Sequence, residues 1–123
     1  MAPVVAFVGT EFERLAQVLA KIMGLKVELR LKEAEILFEE TLLAGFGLPK
    51  PLLLDIDIKP FLNWLEQANL APEKLNTLTD FLFSELDFER NPIISQLYAQ
   101  KLNLIYQLWL RFVLTYNLLE IPS

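Results

Sequence analysis

The spacing of apolar positions predicts helices along almost the whole chain. From about residue 11 onward, apolar side chains recur every three or four positions, which is the period of one face of an α-helix. We therefore predict an all-α fold of about five helices, packed as antiparallel pairs in a single domain spanning 1–123. The predicted helices cover residues 11–23, 27–44, 58–69, 72–87 and 92–119, and residues 1–9 are expected to be extended or disordered.

Helix boundaries are predicted from capping residues, prolines and glycines. Thr10 and Glu13 have the spacing of a capping box, which predicts the start of the first helix, and Gly24 is expected to end it. Pro72 and Pro92 are each suited to the first position of a helix, where the missing backbone N–H costs little.

Residues 25–31 fit two structures. Apolar and charged residues alternate there, as in a β-strand, and a helical period begins after Leu31. Because no other segment offers a partner strand, an isolated strand would leave its backbone groups unpaired. We therefore favour the helix and extend it back to about Val27, although the strand remains an alternative.

The connection after this helix contains two prolines. Pro49 and Pro51 are expected to exclude a regular helix at this point. Asp55 or Asp57 is then expected to cap the next helix by accepting a backbone N–H of its first turn.

The last predicted helix is apolar around most of its circumference, with polar residues confined to a narrow stripe. Such a helix is either central in the fold or forms one face of an oligomer interface. Its aromatic residues fit both roles, because tyrosine and tryptophan are frequent at binding hot spots and also fill cores. The candidate interface residues are Tyr98, Tyr106, Trp109, Phe112 and Tyr116.

Composition narrows the possible partners. Hydrophobic residues make up 54% of the chain and the mean hydropathy is +0.36, which indicates either very efficient packing or apolar surface that another chain covers. The net charge of −5 disfavours nucleic acids and anionic membrane surfaces. The longest apolar stretch, 104–121, contains Arg111, which is costly within a membrane span, so no membrane insertion is expected.

The chain contains no cysteine and no histidine. Thiolate chemistry, disulfides, the commonest general base and the usual zinc ligand are therefore excluded. We expect no catalytic residue, no metal site and no cofactor. A reducing cytoplasm fits the lack of cysteine, and residues 2–8 lack the basic segment that precedes a secretory signal.

Acidic clusters are the remaining candidates for chemistry. A carboxylate pair can share a divalent cation or perform acid–base catalysis, but a solvated helix face, a helix cap or a polar turn explains each cluster more simply. The Gly45–Gly47 segment lacks the ending of a phosphate-binding loop. The acidic clusters are Glu35, Glu39 and Glu40; Asp55 and Asp57; and Glu85, Asp87 and Glu89.

Three segments carry a resemblance to a known group of proteins: the helix from Lys32 to Leu43 with its Gly-Phe-Gly-Leu exit, the opening Pro72–Leu75, and the run Tyr98–Leu102 followed by Tyr106. With these features the chain resembles small bacterial proteins of unknown function that are built from tetratricopeptide-like helix pairs. The resemblance implies a fold of packed helix pairs and brings no assigned activity.

We predict a non-enzymatic module for protein–protein interaction or self-association, whose partner is a second copy of the chain, as in a homodimer, or another protein. The apolar excess and the apolar last helix favour this role. The alternative is a helical domain that binds a small molecule or lipid in an internal apolar pocket, because the same leucines and phenylalanines could line a cavity.

Overall fold

The structure is a computed structural model that describes the backbone of residues 3–120 and the side chains of residues 11–111 and of Leu114. All regular structure in this range is helical, which confirms the all-α prediction. Six α-helices are present there, and five of them have ten or more residues. They are α1 (Pro3–Val27), α2 (Leu31–Thr41), α3 (Lys50–Leu54), α4 (Lys59–Ala68), α5 (Pro72–Ser84) and α6 (Pro92–Glu120).

The chain forms two compact units, Met1–Leu52 and Leu53–Ser123. In the first unit, α1 packs against α2, and in the second, α5 packs against α6. Both pairs are antiparallel, because Gly45 after α2 lies against Leu15 in the middle of α1, and the start of α5 shares a cleft with Trp109 in the second half of α6. The prediction of helix pairs is thus confirmed, and the single domain stays a prediction.

The first helix is longer than predicted at both ends. It begins at Pro3, so the expectation of an extended segment over residues 1–9 and of a start at Thr10 was wrong for the described residues. Proline is favourable in the first turn of a helix, where its missing N–H has no intrahelical partner to lose. Gly24 does not end α1, because a single glycine costs only about 1 kcal/mol in a helix that tertiary packing supports.

A tight turn separates α1 from α2. Leu29 has a left-handed backbone with φ of 62°. The Arg30 N–H donates to the Leu25 carbonyl at 2.8 Å and the Leu29 N–H donates to the Lys26 carbonyl at 3.0 Å, which is the bonding pattern of a Schellman motif. Residues 25–27 therefore belong to α1, and extending the second helix back to Val27 was wrong.

The end of α2 widens into a π-helical turn, Leu42–Phe46, before Gly47 stops it in a left-handed conformation. The Gly47 N–H donates to the Leu43 carbonyl and the Leu48 N–H donates to the Leu42 carbonyl, both at 3.0 Å. Within the turn, Gly45 approaches the Leu15 side chain so closely that an added Cβ would lie 3.3 Å from it.

Two glycine substitutions should change stability in opposite directions. Gly24→Ala is expected to stabilise the fold by about 0.5–1 kcal/mol, because Gly24 lies inside α1 and an added Cβ meets open space. Gly47→Ala should destabilise it by about 1 kcal/mol, because φ at Gly47 is +67°. Urea unfolding of the two variants measures both changes, and a shift of the same sign in both would contradict the described backbone.

The connection after Gly47 contains a helix that the sequence did not predict. Pro49 and Pro51 were expected to exclude one, but α3 forms a single turn with Pro51 as its second residue. Proline is tolerated there because the first N–H groups of a helix have no intrahelical acceptor. The Nζ of Lys50, the first residue of α3, lies 2.6 Å from Oε1 of Glu35 on α2.

The second unit begins its helices close to the predicted positions. The N-cap residue of α4 is Ile58 rather than Asp55 or Asp57, but Oδ1 of Asp57 accepts the N–H of Lys59, the first residue of α4, at 3.0 Å. Pro72 and Pro92 begin α5 and α6 as predicted. α5 ends at Ser84, three residues early, because the last amides bond three residues back, as with Glu85 N–H to the Leu82 carbonyl at 3.1 Å.

Each unit buries a set of apolar side chains. Those of the first unit are Leu15, Ile22, Leu25, Ala34, Phe38, Leu42, Phe46 and Leu48. Those of the second unit are Leu53, Phe61, Leu65, Leu75, Leu78, Phe81, Leu82, Tyr98, Leu102 and Ile105.

Candidate functional site

α6 carries a buried face and an exposed face. Tyr98, Leu102 and Ile105 recur at helical spacing on the buried face. The polar stripe predicted from the sequence is exposed at each position where the structure describes the side chain, namely Asn103, Gln107 and Arg111. The first half of α6 is therefore an ordinary amphipathic helix packed in the second unit.

Beyond Ile105 the exposed side of α6 becomes apolar. Tyr106, Leu110 and Leu114 are spaced four apart and so lie along one stripe, with Trp109 beside it. These side chains are 50%, 56%, 60% and 38% exposed, in the order Tyr106, Leu110, Leu114 and Trp109. We call these four residues the α6 apolar face.

The C-terminal part of the apolar face lies where α6 extends past its partner helix. The 13 residues of α5 span about 20 Å and the 29 residues of α6 span about 44 Å, at a rise of about 1.5 Å per residue. Trp109 already shares a cleft with Leu75, only three residues after the start of α5. Leu110 and Leu114 therefore lie beyond the part of α6 that α5 can cover.

Two clefts lie beside α6 in the second unit, and the first of them includes residues of the α6 apolar face. The first, of about 50 Å³, lies between α5 and α6 and is lined by Leu75, Asn76, Thr79, Ile105, Tyr106 and Trp109. The second, of about 200 Å³, lies between the end of α4, the start of α5 and α6, and is lined by Leu65, Glu66, Asn69, Leu70, Leu75 and Leu108. Leu75 borders both clefts, so they lie on either side of the start of α5.

The structure separates the five aromatic residues proposed as an interface. Tyr98 is buried in the second unit, whereas Tyr106 and Trp109 lie together at the surface and line one cleft. The side chains of Phe112 and Tyr116 lie outside those that the structure describes. Tyr98 therefore occupies a core position, and Tyr106 and Trp109 are placed where a partner could reach them.

The sequence-based selection missed Leu110 and Leu114. The candidate interface residues were all aromatic, so these two leucines were not among them. Their spacing of four from Tyr106 was nevertheless visible in the sequence. Together with Tyr106 they form the continuous part of the α6 apolar face. Such a stripe, bordered by a polar one, is the feature that marks contact surfaces on helices.

A buried lysine was also missed. The Lys101 side chain is fully buried in the second unit, and its Nζ donates to the backbone carbonyl of Asp55 and to Oε1 of Gln100, the latter at 2.6 Å. Burial lowers the pKa of Lys101, and the Asp55 carboxylate opposes this shift. The hydrogen bond to Asp55 links the segment after α3 to α6. Its signal in the sequence was the position of Lys101 between Tyr98 and Ile105 on the apolar side of the helix.

The acidic clusters are engaged in ordinary structural contacts. Glu35 pairs with Lys50, and Glu39 lies 3.9 Å from the same ammonium group. Asp55 and Asp57 accept backbone N–H groups at 3.0 Å each, and Oδ1 of Asp87 accepts the Arg90 N–H at 3.1 Å. Among the described residues, no three acidic side chains are grouped so that they could hold a metal ion.

The first unit has its own groove, of about 450 Å³, between α1 and α2. Leu25, Ile36 and Leu37 supply its apolar surface. Charged side chains of both signs also line it. The charged residues are Lys21, Arg30, Glu33 and Glu40.

No helix in the described range combines the length and apolarity that crossing a membrane requires. Comparison of the chain with family models, curated proteins and solved structures gave no match in any of the three.

Proposed function

We propose that this chain is a non-enzymatic helical module that binds another polypeptide through the α6 apolar face. The observation that carries the proposal is the exposure of Tyr106, Trp109, Leu110 and Leu114 on one continuous part of a well-formed helix. Removing such side chains from water on binding contributes roughly 25 cal/mol for each Å² of apolar area.

The shape of the site supports binding of a polypeptide over storage of a small ligand. The cleft beside Trp109 has a volume of only about 50 Å³, far below the several hundred Å³ of typical small-molecule pockets. A shallow cleft next to an exposed helix face suits a side chain that anchors a larger partner. The tetratricopeptide-like resemblance and a cytoplasmic location are parts of the same proposal.

Replacing both leucines of the face should abolish association without unfolding the protein. In the Leu110→Ser, Leu114→Ser double variant, the lost contact area is exposed in the free chain, so the thermal midpoint should stay close to that of the wild type. Sedimentation velocity from low to high micromolar concentration, with identification of any co-purifying protein, measures the association.

Ile93→Ser is the matched control, because Ile93 is an exposed apolar residue at the opposite end of the same helix. The proposal expects a dimer or a stoichiometric partner that the Ile93→Ser variant retains and the double variant loses. It would be contradicted if the wild type stayed monomeric throughout, no protein accompanied it and it bound no amphipathic helical peptide.

A further inference from the structure

The charge of the second unit distinguishes between possible occupants of the α6 apolar face. Residues 53–123 contain nine aspartates and glutamates and five lysines and arginines. One of the five cations, Lys101, is fully buried and so presents no ammonium group to a partner. This unit therefore carries most of the net charge of −5 of the whole chain, and its surface is more acidic than its composition.

Two carboxylates share a side of α5 with Asn76, which lines the cleft beside Tyr106 and Trp109. Glu73 precedes Asn76 by three residues and Asp80 follows it by four, so both share the exposed side of α5 with this cleft residue. Both side chains are exposed. The α6 apolar face thus has acidic groups beside it on α5.

The opposite edge of the face carries little charge to balance them. Asn103 and Gln107 occupy the exposed polar stripe of α6, and Arg111 is the one cation of that stripe among the described side chains. A ligand lying along the groove between α5 and α6 would therefore meet apolar side chains with carboxylates on the α5 side.

We propose that the occupant of the α6 apolar face is a basic amphipathic α-helix supplied by another protein. This inference rests on the proposed function and specifies the partner's chemistry. Apolar residues on one side of such a helix would cover Trp109, Leu110 and Leu114, and its lysines or arginines would face Glu73 and Asp80. A second copy of the chain fits less well, because it would bring an equally acidic unit against the same carboxylates.

Three synthetic helices of about five turns test this charge preference. The first carries leucine on one face and lysine on the other, the second replaces every lysine by glutamate, and the third contains the leucines and lysines in scrambled order. Fluorescence anisotropy of the labelled peptides measures binding to the full chain. The proposal expects the leucine–lysine helix to bind at least about tenfold more tightly than the other two peptides.

Neutralising the two carboxylates tests where the peptide binds. The Glu73→Gln, Asp80→Asn variant should weaken binding of the leucine–lysine helix by about five- to tenfold and reduce its dependence on salt. The Glu13→Gln, Glu89→Gln variant is the matched control, because it changes the net charge equally at two exposed positions in α1 and in the α5–α6 turn. This control should bind as the wild type does.

The outcomes separate this inference from the proposed function. Equal binding of the glutamate or scrambled peptide, or equal effects of the two charge variants, would overturn the basic helix. If no peptide binds but the wild type dimerises and Leu110→Ser, Leu114→Ser prevents it, the occupant is a second copy and only this inference fails. If there is neither binding nor association, both proposals fail.

Discussion

Truncation of Phe81 to alanine is expected to lower the free energy of unfolding by about 3–5 kcal/mol. Phe81 lies on α5 with its side chain fully buried among the apolar residues of the second unit. The loss combines the transfer free energy of the removed ring with the cost of the cavity that the packed surroundings cannot fill. Denaturant unfolding followed by circular dichroism gives the difference directly.

Phe83 provides the control for this experiment within the same helix. It lies two residues after Phe81, but its side chain is 64% exposed. Phe83→Ala removes the same atoms from a mostly solvated position, so it should cost less than about 1 kcal/mol. Similar losses for the two variants would contradict the orientation of α5 in the structure.

Replacing Lys101 should have an effect that depends on the length of the new side chain rather than on its charge. Lys101→Ala removes a fully buried chain and is expected to cost about 2–4 kcal/mol. Lys101→Met keeps most of the buried volume and removes the cost of burying an ammonium group, so it should stay within about 1 kcal/mol of the wild type. Equilibrium unfolding at neutral pH compares the two variants. A loss for methionine as large as that for alanine would show that the contacts of Nζ dominate.

Lys101 should also make the stability of the fold depend on pH in a known direction. Burial lowers the pKa of Lys101 in the folded chain below the ordinary 10.5 of the unfolded one. Between these two values the unfolded chain binds more protons, so the stability of the wild type should rise with pH relative to that of Lys101→Met. Lys59→Met is the control, because it removes a lysine whose side chain is exposed to solvent. A flat or falling difference for Lys101→Met would contradict the effect of burial.

Prolines and apolar spacing predicted the second half of the fold well. Pro72 and Pro92 begin their helices because each removes an N–H that the first turn does not use. The prediction failed at two other prolines that also lie in the first turn of a helix. Pro3 and Pro51 also lie in first turns, but one was placed in an extended segment and the other was taken as a helix breaker.

The turn between α1 and α2 could not be predicted from local preferences. Leu29 adopts a left-handed backbone that favours glycine, so nothing in its identity marks the end of a helix. Gly24 is of the residue type that commonly ends helices, but it lies inside α1. The burial of Leu25 indicates that packing in the first unit outweighs these local preferences.

The candidate site was predicted in part. The sequence indicated that the last helix is either central in the fold or one face of an interface, and Tyr106 and Trp109 are at the surface. It did not show that Tyr98 is buried, because an aromatic residue has the same pattern in a core and at an interface. The length of α5 explains the exposure of Leu110 and Leu114, since both lie on the part of α6 beyond it.

Trp109 is a natural reporter for the central claim that the α6 apolar face is a binding surface. The chain contains only one other tryptophan, Trp64 on α4, whose ring centroid lies 5.6 Å from that of Phe61. In a Trp64→Phe variant the tryptophan fluorescence comes from the α6 apolar face alone. In a Trp109→Phe variant it comes from α4 alone.

Acrylamide quenching of these two single-tryptophan variants, with and without saturating leucine–lysine helix, tests the claim most directly. The account predicts that the peptide shields Trp109, which is 38% exposed in the free chain, and leaves the quenching of Trp64 unchanged. Unchanged quenching of Trp109 in the presence of bound peptide would show that binding occurs elsewhere and would contradict the account.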